Sequence, residues 1–218
     1  MQNHNYPSIS VIICAYNHEK WIEKCLQSLI KQKNIKKTEY EIIIVDDASK
    51  DKSTKLINKF KKYKNIKIIK NKINLGLPAS LNKALKLSNG KFIVRVDSDD
   101  FVSEYFLSMT SLSLKINKYI HAIEVDYFKV DDKENIISYN NASKKNIACG
   151  IMFRRKCLFD VGLYNSKFKM REGHELRKRF IKDYKIGRLI LPLYNYRMHF
   201  KNRTKQRKNV KFYDSLLK

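Results

Sequence analysis

Residues 91–100 read KFIVRVDSDD, an apolar run that breaks off into three carboxylates within four positions. A run that is apolar at successive positions has the pattern of a strand buried on both faces. The same design occurs twice upstream. Residues 41–49, EIIIVDDAS, pass from a buried strand into Asp46 and Asp47, and residues 8–17, SISVIICAYN, end in Ala15, Tyr16 and Asn17. Between these runs apolar residues recur at helical spacing. Ile22, Leu26, Leu29 and Ile30 mark a helix within 18–32, and Leu56, Ile57 and Phe60 mark one over 53–60. Another spans 78–87, with Pro78 near its first turn, where proline is favoured. With a shorter strand at 66–69, strand and helix alternate four times, which argues a parallel sheet covered on both faces.

The second half is less regular. Its pattern predicts a helix over 101–116 and a hairpin of 120–130 and 136–139 around 131–135. A strand over 147–153, a helix over 170–184, a strand over 186–191 and a terminal helix over 205–217 follow. No repeat, linker or low-complexity block interrupts the chain. The expectation is one domain over residues 1–218, with a nucleotide-binding half to about residue 100 and an acceptor-shaping half beyond it.

Composition excludes several classes. The chain has 218 residues, 43% hydrophobic and 31% charged, an ordinary globular balance. Its six glycines are never two apart, so GxGxxG is absent, and neither GxxxxGK[ST] nor GxSxG occurs. Cys14, Cys25, Cys149 and Cys157 form no CxxC pair, which argues against a zinc ribbon or a thioredoxin-type motif. The apolar runs fall far short of the ~20 residues of a membrane helix. No basic stretch precedes the first one, so the expectation is a soluble protein kept in a reducing cytoplasm.

Charge is less ordinary: 46 Lys and Arg against 21 Asp and Glu give +25. The abundance of Lys, Asn and Ile fits an AT-rich coding sequence, which accounts for the larger share. A surface that attracts an anionic membrane leaflet is the second account, and nucleic-acid binding is a distant third.

Against that background the strand ends reverse sign: five of the 21 carboxylates lie in the two turns after residues 45 and 96. In open parallel sheets ligands bind beyond the carboxyl ends of the strands. With the backbone extended, Asp97 and Asp99, on either side of Ser98, point to one side and suit Mg²⁺ or Mn²⁺ together with substrate phosphates. The plainer account of this turn is an acidic cap on the next helix. Of Asp46 and Asp47, one is expected to accept a hydrogen bond from a nucleotide base and the other to support the loop. Tyr16 offers a face on which that base can stack.

The stretches SISVIICAYNHEKWIEKCLQSLIKQ, YEIIIVDDASKDKS and NLGLPASLNKALKLSNGKFIVRVDSDD together resemble the family 2 glycosyltransferases, which have the GT-A fold. The likeness resumes at CGIMFRRKCLFDVGLYN and LPLYNYRMH. It implies metal-dependent, inverting transfer of a sugar from a nucleoside diphosphate, usually UDP, to an acceptor hydroxyl. It implies that Cys14, Tyr16 and Asp47 would line the uracil pocket, with Asn17, Asp46 and Ser98 beside them. Asp97 would lie near ribose and metal, Asp99 would be the main metal ligand, and Arg95 matches an arginine of many relatives. His199, in Tyr-Arg-x-His, would approach metal or diphosphate. A glycan or lipid-linked acceptor of bacterial surface polysaccharide is the expected partner, at the cytoplasmic face of the membrane, with no nucleic acid.

One departure matters. Where such relatives carry Glu-Asp, with the Asp as base, this chain has Glu172-Gly173. Glu172, at a helix start that favours its ionised form, is the expected substitute base, with His174 next. Glu175 is expected to pair with Arg179, one helical turn on. A non-catalytic nucleotide-sugar-binding protein of the same fold is the alternative that Gly173 raises.

Overall fold

The computed structural model describes residues 7–217. β1 (Ile9–Ala15), α1 (Ile22–Ile30), β2 (Tyr40–Asp46), α2 (Ser53–Asn58), β3 (Ile66–Lys70), α3 (Leu77–Lys86) and β4 (Phe92–Arg95) alternate as expected. These strands pair in the order β3-β2-β1-β4, all parallel. Alternate residues of β1 serve opposite faces. Ile9, Val11 and Ile13 join a core with Leu26 and Leu29 of α1, while Ile12 joins one with Leu81 and Leu85 of α3. That is why the run reads as continuously apolar.

The second half adds β5 (Phe101–Val102), α4 (Phe106–Ile116), β6 (Ala122–Val130), β7 (Ile136–Asn140), β8 (Ile151–Arg154), α5 (Arg155–Asp160), α6 (Glu172–Asp183), β9 (Ile186–Arg197) and α7 (Arg207–Ser215). The nine-stranded sheet continues as β4-β8-β6-β9-β5, with β7 against β6. β4–β8, β8–β6, β9–β5 and β6–β7 are antiparallel, while β6–β9 is parallel. The fold is therefore a Rossmann-like parallel half of four strands joined edge to edge with a mixed half of five, which is not the smaller of the two.

Several boundaries differ from the sequence pattern. The helix expected over 101–116 starts with two residues of strand, because Phe101 and Val102 pair with Asn195 and Tyr194 of β9. β9 runs six residues past Leu191 to supply that partner. The strand expected over 147–153 is confined to 151–154. α5 follows it directly and has no clear apolar period to announce it.

The polar atoms at the start of the sheet are paired rather than left buried. Ser10 Oγ donates to Glu41 Oε1 at 2.7 Å, and Gly90 N donates to Ser10 Oγ at 2.8 Å. A Cβ on Gly90 would lie 2.4 Å from Ser10 N, so glycine is needed where the chain enters β4.

Candidate functional site

A cavity of about 850 Å³ opens at the carboxyl ends of β1, β2 and β4. Cys14, Tyr16 and Asn17 line it from β1, with Tyr16 exposed at the rim. Asn17 has a positive φ of 56° that turns the chain; its N donates to Ser49 Oγ, and its Oδ1 accepts from Lys50 N. The β1 and β2 loops are thereby tied together.

The two aspartates after β2 separate as the turn chemistry requires. Asp46 does not line the cavity: it accepts from Ser49 N at 3.0 Å and Thr54 Oγ1 at 2.5 Å, and so closes its own loop. Asp47 lines the cavity and accepts from Asn71 Nδ2, Leu75 N and Gly76 N, all within 2.9 Å. Of the pair, Asp46 is the loop support.

After β4 the backbone does not stay extended. Asp100 N donates to Asp97 O, closing a turn that sends Asp97 and Asp99 to different partners. Arg95 forks onto Asp97, Nε to Oδ1 at 2.6 Å and Nη2 to Oδ2 at 3.1 Å. Its third nitrogen, Nη1, donates to Glu172 Oε1 at 2.9 Å. Burial acts to lower the Arg95 pKa, but the Asp97 and Glu172 carboxylates outweigh it and push it well up. Asp99 Oδ2 instead meets His199 Nε2 at 2.9 Å. Burial opposes the Asp99 charge, yet the His199 bond and the nearby His18 hold its carboxyl below the usual range.

His199 is buried and stacks on Trp21, with ring centroids 3.9 Å apart. Its Nδ1 accepts from Lys201 N at 3.2 Å, which assigns the ring proton to Nε2, facing Asp99. In this tautomer Nε2 is a donor to Asp99, not a free metal ligand. Ser98 Oγ donates to Cys14 O at 2.8 Å and meets His18 Nδ1 at 2.7 Å.

The donor chemistry can be tested against a divalent cation. Mg²⁺ takes one or two carboxylates and draws its remaining oxygens from phosphates and water. Asp99 fits, since it lines the cavity with no Lys or Arg paired to its side chain among the described residues. Asp97 does not fit while Arg95 occupies both its oxygens. Ligand atoms of Asp97, Asp100 and Cys149 also come within 4.8 Å of one another. Burial, reinforced by Asp97 and Asp100, pushes the Cys149 thiol well up and keeps it a poor ligand. Asp100 already accepts from Tyr194 Oη and Arg197 N.

The opposite wall comes from α6 and the loop before β8. Glu172 and His174 both line it, so His174 faces the same cavity rather than away from it. The Glu172 Oε1 atom is committed to Arg95, and Oε2 has no hydrogen-bond partner among the described residues. Burial, then Arg171, lowers the His174 pKa. Glu175 forks with Arg179 at 2.7 and 2.9 Å, away from the chemistry. The sequence pattern does not single out His18, Tyr194 or Arg197. His18 follows Asn17 at a strand end and is legible there once strand ends are searched. Arg197 holds Asp99 O and Asp100 Oδ1 from about a hundred residues away; it is the arginine of the Tyr-Arg-x-His stretch, in which the resemblance points to His199 alone.

Gly173 is packed closed. A Cβ there would lie 2.3 Å from Ala148 Cβ and 3.0 Å from Ala148 Cα. The loop before β8 thus fills the space that a side chain at 173 would need.

A model described as glycosyl transferase family 2 matches residues 10–171. The poly(ribitol-phosphate) beta-glucosyltransferase of Bacillus spizizenii is 45% identical over 96 residues, 43% of this chain and 15% of that protein. The poly(ribitol-phosphate) beta-N-acetylglucosaminyltransferase TarS of Staphylococcus aureus is 41% identical over 96 residues, 44% of this chain and 17% of its own. The chain therefore matches only a small part of these relatives' length. A crystal structure of S. aureus TarS 1-349 with UDP-GlcNAc superposes with a TM-score of 0.80 at 23% identity, over 91% of this chain and 61% of that one. The mannosyltransferase PcManGT of Pyrobaculum calidifontis, with GDP-Man and Mn²⁺, superposes with a TM-score of 0.74 at 14% identity, over 94% and 61%.

The packing at Gly173 has a measurable consequence. Gly173→Ala should lower unfolding stability by about 1–3 kcal/mol, as overpacking does, and Ala148→Gly in the same chain should recover part of it. The helix propensity of alanine alone would give a gain of about 1 kcal/mol instead. Chemical denaturation distinguishes the two.

Proposed function

The chain belongs to glycosyl transferase family 2, and on that premise we propose that it moves a sugar, with inversion, from a nucleoside-diphosphate sugar to an acceptor hydroxyl. UDP-sugar is the proposed donor. The observation that carries the reading is the cavity itself: Asp47, Asp97 and Asp99 stand on the strand-end wall, and Glu172 stands on the wall facing it.

In this reading the base stacks on Tyr16 beside Cys14 and is held by Asp47, whose position is fixed by Asn71 and two backbone amides. Asn17 shapes the rim, Ser98 supports the floor through Cys14 O and His18, and Asp97, held by Arg95, faces the ribose. Mn²⁺ or Mg²⁺, when bound, offsets diphosphate charge. Asp99 would hold it, with His199 keeping that carboxylate oriented and ionised.

The acceptor hydroxyl attacks the anomeric carbon as the bond to the diphosphate breaks, and its proton passes to Glu172 Oε2. Arg95 keeps Glu172 in place by donating to Oε1, which leaves Oε2 toward the acceptor side. A base so placed contributes about 10²–10⁴-fold. Two relatives are named for transfer to poly(ribitol-phosphate), which supports a bacterial surface polymer, glycan or lipid-linked, as acceptor. Lys169 and Arg171 on the same wall suit one that carries phosphate. The proposed setting is the cytoplasm, peripheral at the inner membrane face. Among the described residues no helix is long and apolar enough to cross a membrane.

The second reading, a nucleotide-sugar-binding protein without turnover, is favoured by one observation, the closed position at Gly173. Glu172→Gln separates them. It should lower transfer by about 10²–10⁴-fold while UDP binding, followed by calorimetry, is kept. Full transfer in Glu172→Gln, with loss in His174→Ala, would move the base to His174. A wild-type chain that binds UDP-sugar and turns nothing over supports the second reading.

The metal assignment is tested on binding alone. UDP should bind more tightly with Mn²⁺ than in EDTA, and Asp99→Ala should remove that gain. Equal affinities in both conditions for both proteins would overturn the role of Asp99.

A further inference from the structure

α4 carries large apolar side chains on its outward as well as its inward face. Its inward positions include Thr110 and Ser111, whose hydroxyls donate back to Phe106 O and Ser108 O within the helix. Its outward positions Met109, Leu112 and Ile116 are 37%, 50% and 74% exposed, and Tyr119 just beyond the helix is 85% exposed. The three helical positions are spaced i, i+3 and i+7, so they form one stripe. A surface helix ordinarily turns hydroxyls to water and its large apolar side chains inward. Here burial of Phe106, Leu107 and Leu114 anchors the helix, and the remaining apolar side chains face out unpartnered.

The local charge narrows what can cover the stripe. From Tyr105 to Ile123 the chain carries Lys115 and Lys118 and no Asp or Glu. Both lysines are exposed. A second copy would bring two chains of +25 together, which self-repulsion opposes. An anionic bilayer surface instead meets both features: apolar side chains enter the headgroup boundary, an aromatic ring sits at the interface, and lysines pair with lipid phosphates. We infer that the outward face of α4, with Tyr119, is the surface by which this protein docks on an anionic membrane. This deepens the peripheral location proposed above and rests on it, but needs neither donor nor turnover.

The test is co-sedimentation of the full chain with vesicles of phosphatidylglycerol and phosphatidylcholine in equal parts, and with phosphatidylcholine alone. The wild type should bind the anionic vesicles and not the neutral ones. The double variant Leu112→Ser and Ile116→Ser should bind about tenfold more weakly or worse. Its melting temperature and UDP affinity should be unchanged, because both side chains are exposed, and transfer to a soluble acceptor is read separately from either. Undiminished vesicle binding by the variant would place the contact on the basic surface at large and overturn the inference. So would failure of the wild type to bind, or equal binding to neutral vesicles. A wild-type dimer in sizing chromatography that the variant disperses would assign the stripe to a second copy instead.

Discussion

The candidate site hangs on one buried guanidinium. Arg95, at the end of β4, directs three nitrogens at two carboxylates from different halves of the chain: Asp97 beside it and Glu172 at the start of α6. Arg95 and Glu172 are buried and Asp97 is partly so; burying such charges is unfavourable unless each is paired with good geometry, and removal of one partner leaves an uncompensated charge. The fork satisfies that condition. It also fixes where the cavity's two walls stand, because β4 carries the strand-end carboxylates and α6 carries the residue facing them.

The turn after β4 obeys the same constraint. Its four positions, Asp97 to Asp100, each face a different set of groups: Arg95, then His18 with Cys14, then His199, then Tyr194 with Arg197. Three carboxylates within four residues repel one another, and separate partners relieve that crowding. Asp100 shows what happens to the most enclosed of them: burial, with Asp99 and Asp97 alongside, pushes its carboxyl well up. Asp99 takes the opposite course because histidines face it. At Gly173 the solution is steric rather than electrostatic, with Ala148 occupying the place of a side chain.

The front half is legible because its strands are covered on both faces, so that apolar runs at 8–14, 41–45 and 91–96 declare themselves without tertiary context. The mixed half is less so. β5 is two residues long and exists only because β9 lies beside it, and no local pattern encodes that pairing. The strand-end residues follow from position alone, and Cys14, Tyr16, Asn17 and Asp47 all line the cavity. Local pattern does not say who holds whom. Arg95 and Asp97 are two apart and share a side, but Glu172 lies 77 residues from Arg95 and His199 a hundred from Asp99. The tautomer of His199 depends on a loop amide at Lys201. The outward stripe of α4 is hidden for another reason: an apolar helix reads as core whichever way its side chains turn.

The account makes Arg95 the coupling between the two walls, and a double-mutant cycle on unfolding free energy measures that coupling. Arg95→Met, Glu172→Gln and the pair should be compared by chemical denaturation. Glu172→Gln should cost less in the Arg95→Met background than in the wild type, with an interaction of about 1–3 kcal/mol. Additive costs, with no interaction between the two positions, would contradict it.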